Sequence, residues 1–180
     1  MARNGIGNLL KELDRVAATT VYNGPKRCAE RVVRDLQEKG PAWTGKFSNS
    51  WQIEAPDRIV RGSGAEGNPQ SLYTPPLTGR QVVQSILTTD KVVFRISNFS
   101  PYADQATDLV PFTPEEFEDT TPVKPVEYGK RPAGGRRGEL SGSGPNRRTA
   151  PLDWYTSYVR GGNLSKAVEI TMDAAMRTLR

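Results

Sequence analysis

The chain has 180 residues, with 25 Lys and Arg against 20 Asp and Glu, a single Cys and no His. That length favours one domain with or without appendages. A lone thiol and no imidazole exclude an intrachain disulfide, the usual zinc, haem and copper ligand sets, and the Ser-His-Asp and Cys-His routes to an activated nucleophile.

Carboxylate or lysine chemistry is what remains for an enzyme, and no metal or cofactor is expected. The first residues, MARNGIGNLL, run straight into KELDR and hold no apolar run of secretory length. Nothing approaches the roughly 18 apolar residues of a membrane span. The expectation is a chain folded in a reducing cytoplasm, with no membrane partner.

The first forty residues read as helix. Ile6, Leu9, Leu10, Leu13, Val16, Ala17 and Val21 recur at spacings of three and four. Asn23-Gly24-Pro25 interrupts, and a second stretch carries Cys28 or Ala29, Val32, Val33 and Leu36 on one face. It ends at Lys39-Gly40-Pro41, with the Gly suited to a left-handed cap. The expectation is two helices, or one long helix kinked near Gly24. Lys26, Arg27, Arg31 and Arg34 lie on its other faces. Cys28 reads as a small buried hydrophobe.

The middle reads as strand. Ser48 to Ala55 alternates loosely, and Arg58 to Arg61 extends or pairs with it. Gln81 to Leu87 and Lys91 to Ser97 read as two more strands joined by a turn at Thr88-Thr89-Asp90-Lys91. Gly62-Ser63-Gly64-Ala65-Glu66-Gly67 matches a dinucleotide fingerprint, but prolines follow it where a helix should open. It is read as a flexible inter-strand loop.

Residues 109–150 differ in kind. They hold Gly and Pro throughout, and Lys124 to Arg148 concentrates basic residues: Lys130, Arg131, Arg136, Arg137, Arg147 and Arg148 among them. Such a segment cannot build a core and reads as an extended arm. The alternatives for it are a solvated linker, docking on an acidic protein surface, or tracking a phosphate backbone. Within it, Thr113-Pro114-Glu115-Glu116 suits a short helix start. The carboxylates Glu115, Glu116, Glu118 and Asp119 surround Phe117, as a solvated face or a self-association contact. After the arm come Leu152, Trp154, Tyr155 and Tyr158. Asn163 then reads as a cap for an amphipathic helix through Leu164, Val168, Met172, Ala175 and Leu179.

The fold class expected is α+β. A small antiparallel β-sheet is packed by a long N-terminal helix, kinked or split, and by a C-terminal helix, with a long extended arm. Residues 1–108 form the body, 109–150 the arm, and 151–180 the closing helix that completes the body.

One order of parts stands out: a long helix, then Pro41-Ala42-Trp43-Thr44-Gly45-Lys46-Phe47-Ser48-Asn49-Ser50-Trp51, then Ile96-Ser97-Asn98 leading into Pro101-Tyr102-Ala103. This resembles the tailed-bacteriophage tail-component family, which includes neck, head–tail connector and tail-completion proteins. The resemblance covers about residues 8–108 and 152–180. It implies a non-enzymatic virion protein, assembled as a ring of six copies, joining the head connector to the tail while DNA passes. Its partners would be further copies, connector or adaptor proteins, and tail terminator or tail tube proteins, with non-specific contact to transiting DNA. The contact residues expected on this reading are Thr44, Gly45, Trp51, Tyr102, Phe117, Lys130, Arg131, Arg136, Arg137, Arg147 and Arg148. The competing reading is a basic nucleic-acid-binding accessory protein using residues 124–148. A carboxylate enzyme is a distant third.

Overall fold

The computed structural model describes residues 3–42, 45–88, 92–101, 103–107, 136–137, 150–151 and 153–179. The architecture is α+β, as the sequence leads one to expect. The N-terminal helix is one long rod in two parts, α1 (Arg3–Ala17) and α2 (Gly24–Lys39), joined by a π-helical turn, Ala18–Asn23. A π-turn holds about one more residue than the α register allows, so the faces of α1 are rotated by about 100° against those of α2. The joint is therefore upstream of the expected kink. Gly24 serves another purpose: a Cβ there would sit 2.9 Å from the Met172 sulfur, so the glycine lets a second helix approach.

The π-turn is bolted to the sheet. Tyr22 is fully buried and its hydroxyl donates to Asp57 Oδ1 at 2.6 Å, while Arg58 Nε donates to Asp57 Oδ2 at 2.6 Å. Burial, then the hydrogen bond to Asp57, pushes the Tyr22 hydroxyl well above its usual pKa. For Asp57, burial pulls the pKa up, but hydrogen bonds from Tyr22 and Arg58 outweigh it and leave the carboxyl below its ordinary value.

Helix α2 ends at Gly40, whose backbone is extended (φ −72°) rather than left-handed. The expected left-handed cap is thus corrected. Gly40 is there for space, since a Cβ would lie 2.9 Å from the Trp154 ring.

A 3-10 turn, Ser48–Ser50, leads into β1 (Trp51–Glu54), which pairs antiparallel with β2 (Ile59–Arg61) on one side and β3 (Arg95–Asn98) on the other. The sheet order is β2-β1-β3, with Ile53 opposite both Val60 and Ile96. Trp51 and Ile53 point into the core while Gln52 and Glu54 face outward, the period-two alternation of a half-buried strand.

The expected strand Gln81 to Leu87 is a helix instead, α3 (Gly79–Thr88). The turn expected at Thr88 to Lys91 falls partly in that helix and otherwise outside the described residues. The reason is local. Thr78 and Gln81 form a capping box: Gln81 Oε1 accepts the Thr78 backbone N–H at 2.9 Å and its hydroxyl at 3.0 Å. The apolar residues Val82, Val83, Ile86 and Leu87 fit a helical face as well as a strand, and the cap decides between the two.

Beyond β3 come the short α4 (Ala103–Ala106) and a two-residue ladder in which β4 (Arg136–Arg137) pairs with β5 (Ala150–Pro151). Helices α5 (Trp154–Arg160) and α6 (Asn163–Arg177) close the chain. Asn163 is the first helical residue rather than the cap; Gly162 holds that place at φ 85°. α6 runs along α2, with Met172 against Gly24 and the Cys28 thiol 3.6 Å from the Val168 carbonyl, so the two helices are antiparallel.

The core lies between α2, the inner sheet face and α5. Phe47 is its pivot, edge-on to Trp51 (5.6 Å between centroids) and to Trp154 (6.3 Å). Trp154 Nε1 donates to the Ala106 carbonyl at 2.7 Å, and the Tyr158 hydroxyl donates to Asp35 at 3.1 Å.

Candidate interaction surface

The Thr-Gly turn and the sheet end meet in space. Gly45 has φ 90°, and a Cβ there would lie 1.8 Å from the Gly67 carbonyl oxygen, so no other residue fits. Asn98 donates to the Phe47 carbonyl at 3.0 Å and accepts the Ser100 N–H at 2.9 Å. Asn49 donates to the Ala65 carbonyl and accepts the Gln70 N–H, both within 3.0 Å. Asn49 and Asn98 thus satisfy backbone that their neighbours leave open, as does Ser50, whose hydroxyl donates to the Lys46 carbonyl at 2.7 Å.

That assigns the motif a structural task. Gly45 and Trp51, expected as partner contacts, are instead buried; Trp51 is 3% exposed in the middle of the core. Thr44, Tyr102, Phe117, Lys130, Arg131, Arg147 and Arg148 lie outside the described residues, as does the carboxylate group from Glu115 to Asp119. Arg136 and Arg137 stand in β4, tied by backbone to β5, and Ala150 of β5 is fully buried in the core. One base of the expected arm is therefore anchored to the body.

The Gly-rich segment is held as well. It runs from β2 to α3, not between strands. Three polar residues at seven-residue intervals, one at the N-cap of α2 and two on it, grip its continuation. The Asn23 amide exchanges two hydrogen bonds with the Leu77 backbone, Glu30 accepts the Thr74 N–H at 2.6 Å, and Gln37 donates to the Gln70 carbonyl at 3.0 Å. Seven residues of helix rise about 10 Å. Three or four residues of extended chain cover about 10–13 Å. The two spacings match, so a helix face reads an extended backbone running the other way. Lys26, expected on an outward face, lies beneath this strap at 4% exposure, 3.0 Å from Glu30 and 4.5 Å from the Tyr73 ring centroid. The signal for this strap was in the sequence, as polar residues at a helical repeat facing a proline-rich stretch. Nothing in composition alone makes it visible.

Exposed apolar side chains are densest on α1, although Ile59, Tyr73 and Ile170 elsewhere are more than half exposed too. Leu9, Leu10 and Leu13 are 60%, 57% and 55% exposed. Leu9, Leu13 and Val16 follow at spacings of four and three, the repeat of a seam that packs against another helix. The C-terminal end of α1 is secured: Arg15 donates to the Leu179 carbonyl at 2.9 Å, and Gly79 of α3 backs onto Asp14. The leucines are therefore carried on a positioned helix. Isolated exposed leucines need no explanation, but three within two turns form a patch.

No cluster of three or more His, Cys, Asp and Glu side chains able to hold a metal ion occurs among the described residues. The Cys28 thiol is buried, and burial pushes its pKa up, which makes it a poor nucleophile. No helix among the described residues is long and apolar enough to cross a membrane. No family model, curated protein or solved structure matches the chain.

Proposed function

We propose that this chain is a non-enzymatic structural subunit of a tailed-phage neck, of the tail-completion type, which assembles into a ring between the head connector and the tail. The observation that carries the reading is the leucine seam of α1, three exposed leucines within two turns of one helix, whereas exposed apolar residues elsewhere, such as Ile59, Tyr73 and Phe99, lie on separate segments. Three exposed leucines on a braced helix are a self-assembly surface that a stable monomer has no use for. The order of parts supports the family: long helix, Thr-Gly turn, three-stranded antiparallel sheet, Asn98 latched to that turn, and a closing helix along the first.

A ring uses two different patches, one on each side of the subunit, and closes by rotation. The seam of α1 supplies one of them. The other lies on the neighbouring copy, and the arm from 109 to 150 reaches adjacent virion proteins. Electron microscopy of the purified chain at rising concentration tests this. Closed rings of uniform size, six copies each, are expected; monomers at every concentration, or open filaments, count against it.

A further inference from the structure

We infer that the outward stripe of α2, formed by Arg27, Arg31 and Arg34, binds the phosphate backbone of double-stranded DNA without reading its sequence. The inference stands apart from the ring reading and from the arm, because it uses neither.

Three faces of α2 are already occupied. Gly24, Cys28 and Asp35 face α6 and α5, and Val32, Val33 and Leu36 face the core. Asn23, Glu30 and Gln37 hold the strap. Arg27, Arg31 and Arg34 are exposed and follow at spacings of four and three, so they line the remaining face over about 10 Å. Arg31 Nε is paired with Asp35 at 2.8 Å but keeps half its side chain in solvent. Among the described residues, Arg27 and Arg34 have no carboxylate partner. Glu38, one turn beyond Arg34, is the acidic residue that ends the stripe.

The chemistry favours a polyphosphate over an acidic protein. Protein partners bind tightly through apolar or aromatic anchors that are fully desolvated, and this stripe carries none. Guanidinium groups on a pre-ordered helix match phosphate oxygens and give up little conformational freedom on binding. Contacts of this kind position a duplex and carry no base information. Two or three neutralised phosphates correspond to a salt slope of about −1.8 to −2.7. Such a contact weakens roughly 10- to 40-fold between 50 and 200 mM salt. It is a loose, sliding grip.

The test is fluorescence anisotropy with a labelled 25-base-pair duplex across that salt range, using the full chain. Two variants are compared with it: Arg27→Gln/Arg34→Gln, which leaves the Arg31–Asp35 pair in place, and Arg27→Lys/Arg34→Lys. The expected result is that the glutamine variant keeps its circular dichroism spectrum and loses about 1.8 units of salt slope, equally for two unrelated sequences. The lysine variant keeps the slope. An unchanged slope in the glutamine variant overturns the inference, because binding then belongs to another surface. So does a wild-type chain that ignores the duplex at 50 mM salt, or one that captures poly-glutamate in preference to DNA.

Discussion

Helices α1 and α2 belong to one rod and are nearly equal in length, 15 and 16 residues, yet they face opposite circumstances. α2 is enclosed by the core, by α6 and by a strap of extended chain, and what it leaves exposed is its arginine stripe together with Glu38 and Lys39 at its end. α1 is fastened near its C-terminal end and leaves Leu9, Leu10 and Leu13 in water. Both are amphipathic by sequence, so periodicity alone gives them the same standing. What separates them is the supply of covering elements. α2 is covered by its own chain, and the leucines of α1 are not. On the proposal above, the first half of the rod is the part given to assembly, while the second half is built into the body.

The largest effects are expected where α2 is enclosed. Glu30→Ala removes the partner of the buried Lys26 and one anchor of the strap. It should cost about 3–5 kcal/mol by urea denaturation, while Lys26→Met/Glu30→Leu recovers only the part owed to the unpaired buried charge, since the Thr74 N–H still lacks its acceptor. A Glu30→Ala protein as stable as wild type would mean that the strap adds nothing to α2. Next come the other two anchors. Asn23→Ala and Gln37→Ala each leave partly buried backbone groups of the strap unpaired and should cost about 1 kcal/mol, with faster amide exchange in the strap from 70 to 77.

The pH dependence follows from four groups, of which the buried Cys28 thiol, raised by burial above its ordinary 9.0, is the first to withdraw its contribution as the pH climbs past that value. The folded pKa of Tyr22 and of Tyr158 is raised above the ordinary 10.0, in both by burial first; the nearby carboxylate, Asp57 or Asp35, adds to it. Their contribution is complete below pH 10.0 and is lost as the pH rises toward the folded values. Asp57 is lowered below its ordinary 3.8, so its contribution is present above that value and lost as the pH falls through the folded one. Thermal melts across pH should therefore be flattest between these limits, and Tyr22→Phe should soften the alkaline edge. An alkaline edge left unchanged by that substitution would disconnect the π-turn joint from stability.

The smallest shift tests the same strap from the other side. Among the described residues, the buried Thr74 hydroxyl has no hydrogen-bond partner, so Thr74→Val should stabilise by about 1 kcal/mol. A loss of stability there would mean that the hydroxyl is satisfied in solution.

Much of this organisation was legible in the residues. The long helix, its end near Gly40, the central strand and the closing helix all follow from periodicity and breakers, while for residues 58–61 the sequence leaves open whether they extend that strand or pair with it. The chief error was α3. Short apolar runs fit either period, and only the Thr78–Gln81 cap, a side-chain geometry rather than a pattern, resolves them. The motif from Thr44 to Trp51 drew attention for a sound reason, since Gly45 and Asn49 are indispensable to the turn. Its signal reported backbone constraint, and a backbone constraint buries residues such as Trp51 rather than offering them to partners. The exposure of the α1 leucines was not legible, because sequence periodicity records an apolar face without recording what covers it.

The most direct measurement is sedimentation velocity on wild type and on Leu9→Glu/Leu13→Glu at matched concentrations, with thermal melts alongside. Both leucines face solvent, so the melts should agree to within about 0.5 kcal/mol. The wild type should sediment as a concentration-dependent oligomer and the variant as a monomer. A variant that assembles as well as the wild type, or a wild type that stays monomeric throughout, would contradict the assignment of α1 to assembly.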